Sequence, residues 1–429
     1  MPEHTGYAGK SLEFLTSNDI TVGDSVKVTG ELTYSGIIMP RYEHTDDQHI
    51  VLKLNSGYNI GLEIEKITKI EKLPSAEKIP VTTQELKENP SLPKILLLST
   101  GGTIASKVDY RTGAVTPILT AAELNSSVPE LSKIANIDTE VLFSEYSENI
   151  MPDNWIQVAR KLNDVAKSGY TGIIIAHGTD TMHYTSSFLS FALAGYPIPI
   201  ALVGSQRSSD RASSDAALNL IGATKFLVGC KTNGVFVVMH NDESDNTIAC
   251  HYGTRVRKNH TSKRSAFQTI GDDPAYIVFE DKIQKNAKDE FFKTKDFNPK
   301  INLDTKVALV KYYPGYDSKL LDEILDMGYK AIIFEGTGLG HIGKIMYDSV
   351  KKANEKGVFL GMTSQCIDGR IRMTVYESGR DLLNLGIIPL ENMIPEVALV
   401  KTMWALGNYQ DIEEVKKIML ENIASELSS

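Results

Sequence analysis

The rhythm of apolar positions changes once, sharply, along this chain. Between about Ile20 and Lys72, short runs of alternating apolar and polar residues are cut by Gly, Asn and Asp. Val22-Gly23-Asp24-Ser25-Val26-Lys27-Val28 is a turn followed by a strand. Gly30 to Pro40 and His49 to Leu54 continue in the same style, and Asn55-Ser56-Gly57-Tyr58 turns the chain into Asn59 to Ile64. Short strands so punctuated predict a small all-β, SH3-like barrel. The charged, Pro-containing stretch from Glu71 to Pro93 reads as a linker with one short helix. From Lys94 onward the apolar runs are unalternated and too short for helices: Ile95–Leu98, Ile173–Ala176, Ile198–Val203, Val235–Met239, Val307–Val310, Ala331–Phe334 and Val358–Met362. Runs of Val, Ile and Leu without alternation are the mark of parallel strands buried on both faces. Helical stretches such as Trp155–Ala166 and Ser213–Phe226 lie between them, which predicts a doubly wound α/β architecture. The segment from Glu280 to Leu303, rich in Lys, Asp and Glu, reads as a connection between a larger and a smaller α/β domain. We place the β module and the start of its linker at residues 1–85, the first α/β domain at 86–297 and the second at 298–429.

Composition narrows the class. The chain is 42% hydrophobic and 23% charged, as a globular protein with sizeable cores should be. A net charge of −9 argues against a stand-alone nucleic-acid binder, while leaving room for a local basic face. Cys230, Cys250 and Cys366 have no CxxC spacing and read as free thiols in a reducing compartment. The segment Met1–Thr5 is hydrophilic, and no apolar run approaches the roughly 20 residues that span a bilayer. The expected location is cytoplasmic.

Two segments carry the chemistry. Ser99-Thr100-Gly101-Gly102-Thr103-Ile104-Ala105 and His177-Gly178-Thr179-Asp180-Thr181 each put a threonine just after a buried strand, where an open α/β sheet presents groups to a ligand. Taken alone, the first also fits a phosphate-binding glycine loop or a simple strand-to-helix turn. The second also fits helix capping by Thr and Asp. His177 precedes a glycine turn and is as compatible with a structural role as with that of a base. A hydroxyl nucleophile needs a proton acceptor, and a desolvated lysine paired with a carboxylate can serve. Arg255-Val256-Arg257-Lys258-Asn259-His260-Thr261-Ser262-Lys263-Arg264 supplies candidates, but by composition it is equally a solvated basic loop or a patch for an anionic partner.

Together these segments resemble the L-asparaginase/glutaminase amidohydrolase family from about Lys94 to Gly407. The resemblance makes the two α/β domains asparaginase-like, with parallel sheets and the catalytic residues in the first. It places Thr103 at the nucleophilic threonine, Thr179 and Asp180 in the hydroxyl–carboxylate pair, and Lys258 at the catalytic lysine through Val237-Val238-Met239, Val256-Arg257-Lys258-Asn259 and Phe267. It implies that Tyr110, in Tyr110-Arg111-Thr112-Gly113, is the tyrosine of a mobile lid. It implies also that Gly102, Ser147 and Glu148 contact the substrate. Two positions depart from the family pattern: Glu148 stands where Gln is common, and Leu339 stands in Gly336-Thr337-Gly338-Leu339-Gly340 where many bacterial enzymes carry Asn.

A narrower resemblance is carried by Gly23–Val28, Gly36–Tyr42, Asn55–Gly61, Gly204–Arg211 and Thr363–Arg370, which are similar to the D-subunit family of the archaeal glutamyl-tRNA(Gln) amidotransferases. That resemblance implies a glutaminase that hydrolyses glutamine and delivers ammonia to a partner E subunit. The partner would bind Glu-tRNA(Gln) and hold the ATP and Mg chemistry, this chain having no metal or cofactor of its own. A homodimer core within a heterotetramer is the implied assembly, and a lid around Tyr110 that orders only when charged tRNA is bound is the expected gate. A stand-alone L-asparaginase/glutaminase is the alternative.

Overall fold

The computed structural model describes residues 6–39, 41, 46–54, 59–73, 89–102, 104, 106–108, 115–117, 128–207, 214–230, 232–280, 282–286 and 296–428. The first unit opens with a helix, α1 (Gly9–Ser17), that the sequence pattern does not announce. It is too short to be stable alone and forms because Leu15 is buried against the strands that follow. Strands β1 (Ser25–Thr29), β2 (Thr33–Ile38), β3 (His49–Leu54), β4 (Asn59–Glu63) and β5 (Lys69–Lys72) make one antiparallel sheet in the order β4-β3-β2-β1-β5. Alternation turns Val26, Val28, Ile38, Ile50 and Leu52 onto its inner face. The Tyr7 hydroxyl donates to Met39 O (2.8 Å) and accepts from Val51 N (3.0 Å), tying the start of the chain to this sheet. The turn at 55–58 lies outside the described residues, but the strands on either side pair antiparallel, as such a turn requires.

The central sheet has eight strands. Its parallel part comprises β6 (Lys94–Gly101), β9 (Asn136–Glu145), β10 (Gly172–Ala176), β11 (Pro199–Val203) and β12 (Gly234–His240). Between β6 and β9 a small antiparallel pair, β7 (Ser106–Val108) and β8 (Val115–Pro117), stands apart. Beyond β12 the sheet continues antiparallel through β13 (Ile248–Tyr252), β16 (Tyr276–Val278) and β17 (Ile283–Lys285), so it is mixed rather than purely parallel. The physical reason is the short return from His240 to Ile248, since a parallel crossover needs a dozen residues or more. A separate ribbon, β14 (Val256–Lys258) with β15 (Phe267–Thr269), lies outside this sheet. Helices α2 (Pro152–Val165), α3 (Met182–Ala192) and α4 (Ala216–Gly229) cover the parallel strands. The stretch read as a linker begins instead with β17, its residues 287–295 lying outside those described.

The second α/β unit has four parallel strands, β18 (Val307–Lys311), β19 (Ala331–Gly336), β20 (Phe359–Ser364) and β21 (Ile388–Pro389), in sequence order. Helices α5 (Lys319–Asp326), α6 (Tyr347–Glu355), α7 (Glu377–Asn384), α8 (Pro395–Asn408) and α9 (Ile412–Leu420) complete it. The two α/β units share one apolar core, because α8 packs on α3 as well as on β18 to β20. There the Trp404 and Phe191 rings stack at 5.7 Å, and the Trp404 indole donates to Lys300 O (2.8 Å). Cys230, Cys250 and Cys366 are free thiols. No helix among the described residues is long and apolar enough to cross a membrane.

Two features of this fold have measurable consequences. Lys401 on α8 and Glu426 form an ion pair at 2.6 Å with both side chains 0% exposed, and Lys401 also donates to the carbonyls of Met419 and Glu421. Removing one member of such a pair strands the other charge, at a cost of about 3–5 kcal/mol. Lys401→Met should therefore lower the thermal midpoint strongly, and Lys401→Met with Glu426→Gln should recover part of it; equal losses in both would contradict the reading. Burial also pushes His177 and His183 down to about 4 and His251 to about 3. Their folded values lie below the ordinary 6.5, so the unfolded chain binds more protons between about pH 6.5 and 4 and stability falls as pH drops through that window. The slope is about 1.4 kcal/mol per pH unit for each histidine. Denaturation curves at pH 7, 5.5 and 4.5 should show this decline, and a flat series would exclude it.

Candidate active site

Two neighbouring strand ends and a separate ribbon bring the candidate residues together. β6 and β10 are adjacent and parallel, with Ser99 opposite Ala176, so their loops leave the sheet side by side. The Thr100 hydroxyl donates to Ala176 O (2.9 Å) and locks the two strand ends together. Gly101 and Gly102 have φ of +117° and +79°, a region that favours glycine. A methyl group at Gly102 would stand 2.7 Å from the Gly178 nitrogen, and one at Gly101 would stand 2.1 Å from Glu145 O. The two threonine loops therefore touch backbone to backbone, and only glycine permits it.

At the end of β10 the Lys258 amine reaches in from β14. Its Nζ donates to Thr179 Oγ1 (2.8 Å) and to Asp180 Oδ1 (2.7 Å). The Lys258 side chain is only 10% exposed, while that of Asp180 is 66% exposed, so the cation is drawn inward and the carboxylate faces solvent. The Lys258 hydrogen bond, helped by its charge and by Ser147, holds the Asp180 carboxyl below the usual range against a smaller desolvation effect. Ser147 Oγ donates to Asp180 Oδ2 (3.3 Å), and Thr181 Oγ1 donates to Ser147 O (2.6 Å). The turn at Ser147–Asn149 is thus fastened to the loop that carries Thr179 and Asp180. Glu148, on the same turn, is exposed.

The structure brings Gly102, Ser147, Thr179, Asp180 and Lys258 into one place. Thr103 and Tyr110 lie outside the described residues. His177 is resolved as structural: it is buried, its Nδ1 contacts Gly178 O (2.6 Å) and its Nε2 contacts Thr185 Oγ1 (2.9 Å). A carbonyl can only accept, so the proton sits on Nδ1 and Nε2 accepts from the threonine. With its ionisation pushed to about 4, the ring is neutral at physiological pH. His183, which the sequence pattern does not single out, is buried in the first turn of α3, close enough to the Arg257 and Lys258 cations to feel both.

The basic run at 255–264 is divided: Arg255, Arg257, Lys258 and Arg264 are tied into the fold, while residues 259–263 are exposed. Arg255 is buried and donates from Nε to Ser425 O (2.6 Å), and Arg257 Nε lies 3.1 Å from Glu396 Oε1. Lys258 contacts Thr179 and Asp180, and Arg264 pairs with Asp245. Only Lys263 and His260 of its ionisable residues are exposed. Most of the charge that composition makes conspicuous is spent inside the fold. Among the described residues, no group of three or more His, Cys, Asp or Glu side chains could hold a metal ion.

Comparison with known proteins places this arrangement. Residues 94–291 match the N-terminal asparaginase family, residues 306–419 match the glutaminase/asparaginase C-terminal domain, and residues 20–73 match the GatD N-terminal domain. The D subunit of the Pyrococcus furiosus glutamyl-tRNA(Gln) amidotransferase is 47% identical over 97% of this chain and 97% of its own length. That of Sulfurisphaera tokodaii is 44% identical over 99% of this chain and 95% of its own. Among solved structures, the thermostable L-asparaginase from Thermococcus kodakarensis is similar with a TM-score of 0.70 and 33% identity, covering 78% of this chain and 99% of that one. A probable cytoplasmic L-asparaginase from Campylobacter jejuni, 24% identical with a TM-score of 0.63 over 77% of this chain and all of its own, shares the fold. The match thus runs through the β module as well as both α/β units, and this chain belongs to the D-subunit family of the glutamyl-tRNA(Gln) amidotransferases.

Proposed function

We propose that this chain is the glutaminase component of the tRNA-dependent amidotransferase that converts Glu-tRNA(Gln) to Gln-tRNA(Gln). It hydrolyses glutamine and supplies the ammonia to a partner protein. One observation carries the reading: a Lys258 amine within 2.8 Å of the Thr179 hydroxyl and 2.7 Å of the Asp180 carboxylate, in a chain matched along its whole length by D-subunit relatives. We assign the ATP and Mg chemistry to the partner E subunit, which also makes most contacts with the tRNA. This chain needs no cofactor. The assembly is a homodimer core within a heterotetramer, and the location is cytoplasmic.

The chemistry follows from the placement of protons. Thr103 directly follows Gly102, the residue that abuts Gly178. Its hydroxyl oxygen bonds to the glutamine side-chain carbonyl carbon, and its proton passes by way of Tyr110 to the amide nitrogen. The C–N bond then breaks, ammonia leaves and a glutamyl ester remains. Backbone NH groups at the glycine turns stabilise the oxyanion. For the second half, Thr179, activated by Lys258 that Asp180 orients and charge-balances, positions the attacking water and relays its proton. Water adds to the ester, the proton returns to the Thr103 oxygen and glutamate departs. Ser147 and Glu148 receive the substrate's α-amino and carboxylate groups. In a second order of events Thr179, the hydroxyl that Lys258 contacts, attacks first. Mapping the trapped acyl group to one threonine distinguishes the two.

In the complex with its partner and charged tRNA, Lys258→Ala and Thr103→Ala should each lower glutamine-dependent amidation by about 10²–10⁴-fold while leaving ammonia-dependent amidation intact. Loss of both activities would remove these residues from the glutaminase step alone. Ammonia release from glutamine should depend on the partner and Glu-tRNA(Gln). Strong release from asparagine by the isolated chain would instead favour a stand-alone asparaginase.

A further inference from the structure

Lys258 stands on a slight element. β14 is three residues long and, among the described residues, pairs only with the three-residue β15. An isolated two-stranded ribbon is marginal in water, so the contacts of Lys258 with Thr179 and Asp180 have to be held from elsewhere. Val256 and Phe267 are buried in the shared core, and two polar supports also reach this region, both leading to α8 in the second α/β unit.

The first support acts on the residue beside the lysine. Arg257 Nε lies 3.1 Å from Glu396 Oε1, and the Glu396 side chain is almost fully buried. Glu396 is in the first turn of α8, behind Pro395, where the free backbone amides of a helix favour a carboxylate. The second support acts just ahead of β14. Thr254 Oγ1 donates to Ala424 O (2.7 Å) and Arg255 Nε to Ser425 O (2.6 Å). Those carbonyls are fixed in turn. The Glu426 carboxylate accepts from the backbone nitrogens of Ile423 and Ala424 and pairs with Lys401 of α8. Ser425 adopts a φ of +69°, a conformation that a non-glycine residue keeps only where its surroundings enforce it.

The same helix packs along α3, which begins immediately after the Thr179-Asp180-Thr181 segment. One helix of the second unit therefore bears on both halves of the site, the strand with the amine and the helix behind the hydroxyl and carboxylate. We propose that Glu396 is a positioning residue for glutamine hydrolysis: through Arg257 it fixes the reach of Lys258 to Thr179, and Thr254, held by residues 424–426, fixes the other end of the strand. The proposal rests on the reading of Lys258 as the residue that activates Thr179. Glu396 touches neither substrate nor reacting atoms, so its effect belongs to the chemical step rather than to binding.

Glu396→Gln keeps the shape and removes the charge, and Thr254→Val removes one hydrogen bond from a buried side chain. In the complex with partner and charged tRNA, Glu396→Gln should lower kcat for ammonia release by about tenfold or more with KM for glutamine held within about twofold. Thr254→Val should show the same split to a smaller degree, and ammonia-dependent amidation should persist in both. Where Glu396→Gln does not fold, Thr254→Val decides by the same criterion. Unchanged kcat, or a rise in KM that accounts for the loss, overturns the proposal. A Lys258→Ala complex with full glutaminase activity would overturn the assignment of Lys258 itself, and this proposal with it.

Discussion

The placement of one amine governs this molecule. Lys258 Nζ is shared between the Thr179 hydroxyl and the Asp180 carboxylate, with its stem buried and its carboxylate partner turned to solvent. An amine in water at neutral pH is almost wholly protonated and cannot accept a proton from a hydroxyl. Enclosure in protein and a fixed counter-charge are the two means by which a lysine is brought into use as a base and then stabilised once it has the proton. At Lys258 the stem is enclosed and the Asp180 carboxylate stands 2.7 Å from the amine.

The parallel strands β6 and β10 bring the two loops to one edge of the sheet, and the glycines at 101 and 102 let them touch. The amine comes from a ribbon that belongs to no large sheet, so its position depends on packing from outside. The second α/β unit supplies that packing through α8, Glu396 and the Lys401–Glu426 pair. The shared core of the two α/β units thus has a chemical consequence: the smaller unit holds part of the site carried by the larger one. Among the described residues, none of the β module's hydrogen bonds or ion pairs reaches this site. The module's match to the D-subunit relatives is what separates this chain from an asparaginase that works alone.

Much of this was legible in the residues. Buried parallel strands announce themselves as unbroken Val, Ile and Leu, and the expected helices at Trp155–Ala166 and Ser213–Phe226 correspond to α2 and α4 within a few residues. β9 escapes because its Asn, Asp, Thr, Glu and Ser residues sit at a sheet edge where neither full burial nor clean alternation is imposed. The antiparallel strands escape because each is only three to five residues long. Spacing alone could not separate Lys258 from the cations around it, because the distinction is made by tertiary contacts: Arg255 meets the carbonyl of Ser425, Arg257 meets Glu396, and Arg264 meets Asp245. Ser147 was expected at the substrate and is found bonded to Asp180, a contact between residues far apart in sequence.

The claim that Thr179 and Lys258 act as one proton-transfer unit is tested most directly by a double-mutant cycle on single-turnover glutamine hydrolysis in the assembled complex. Groups that work as a unit are strongly non-additive. Thr179→Ala combined with Lys258→Met should therefore be no slower than the slower of the two single variants. Losses that multiply would show that the two residues contribute independently, and would contradict the account.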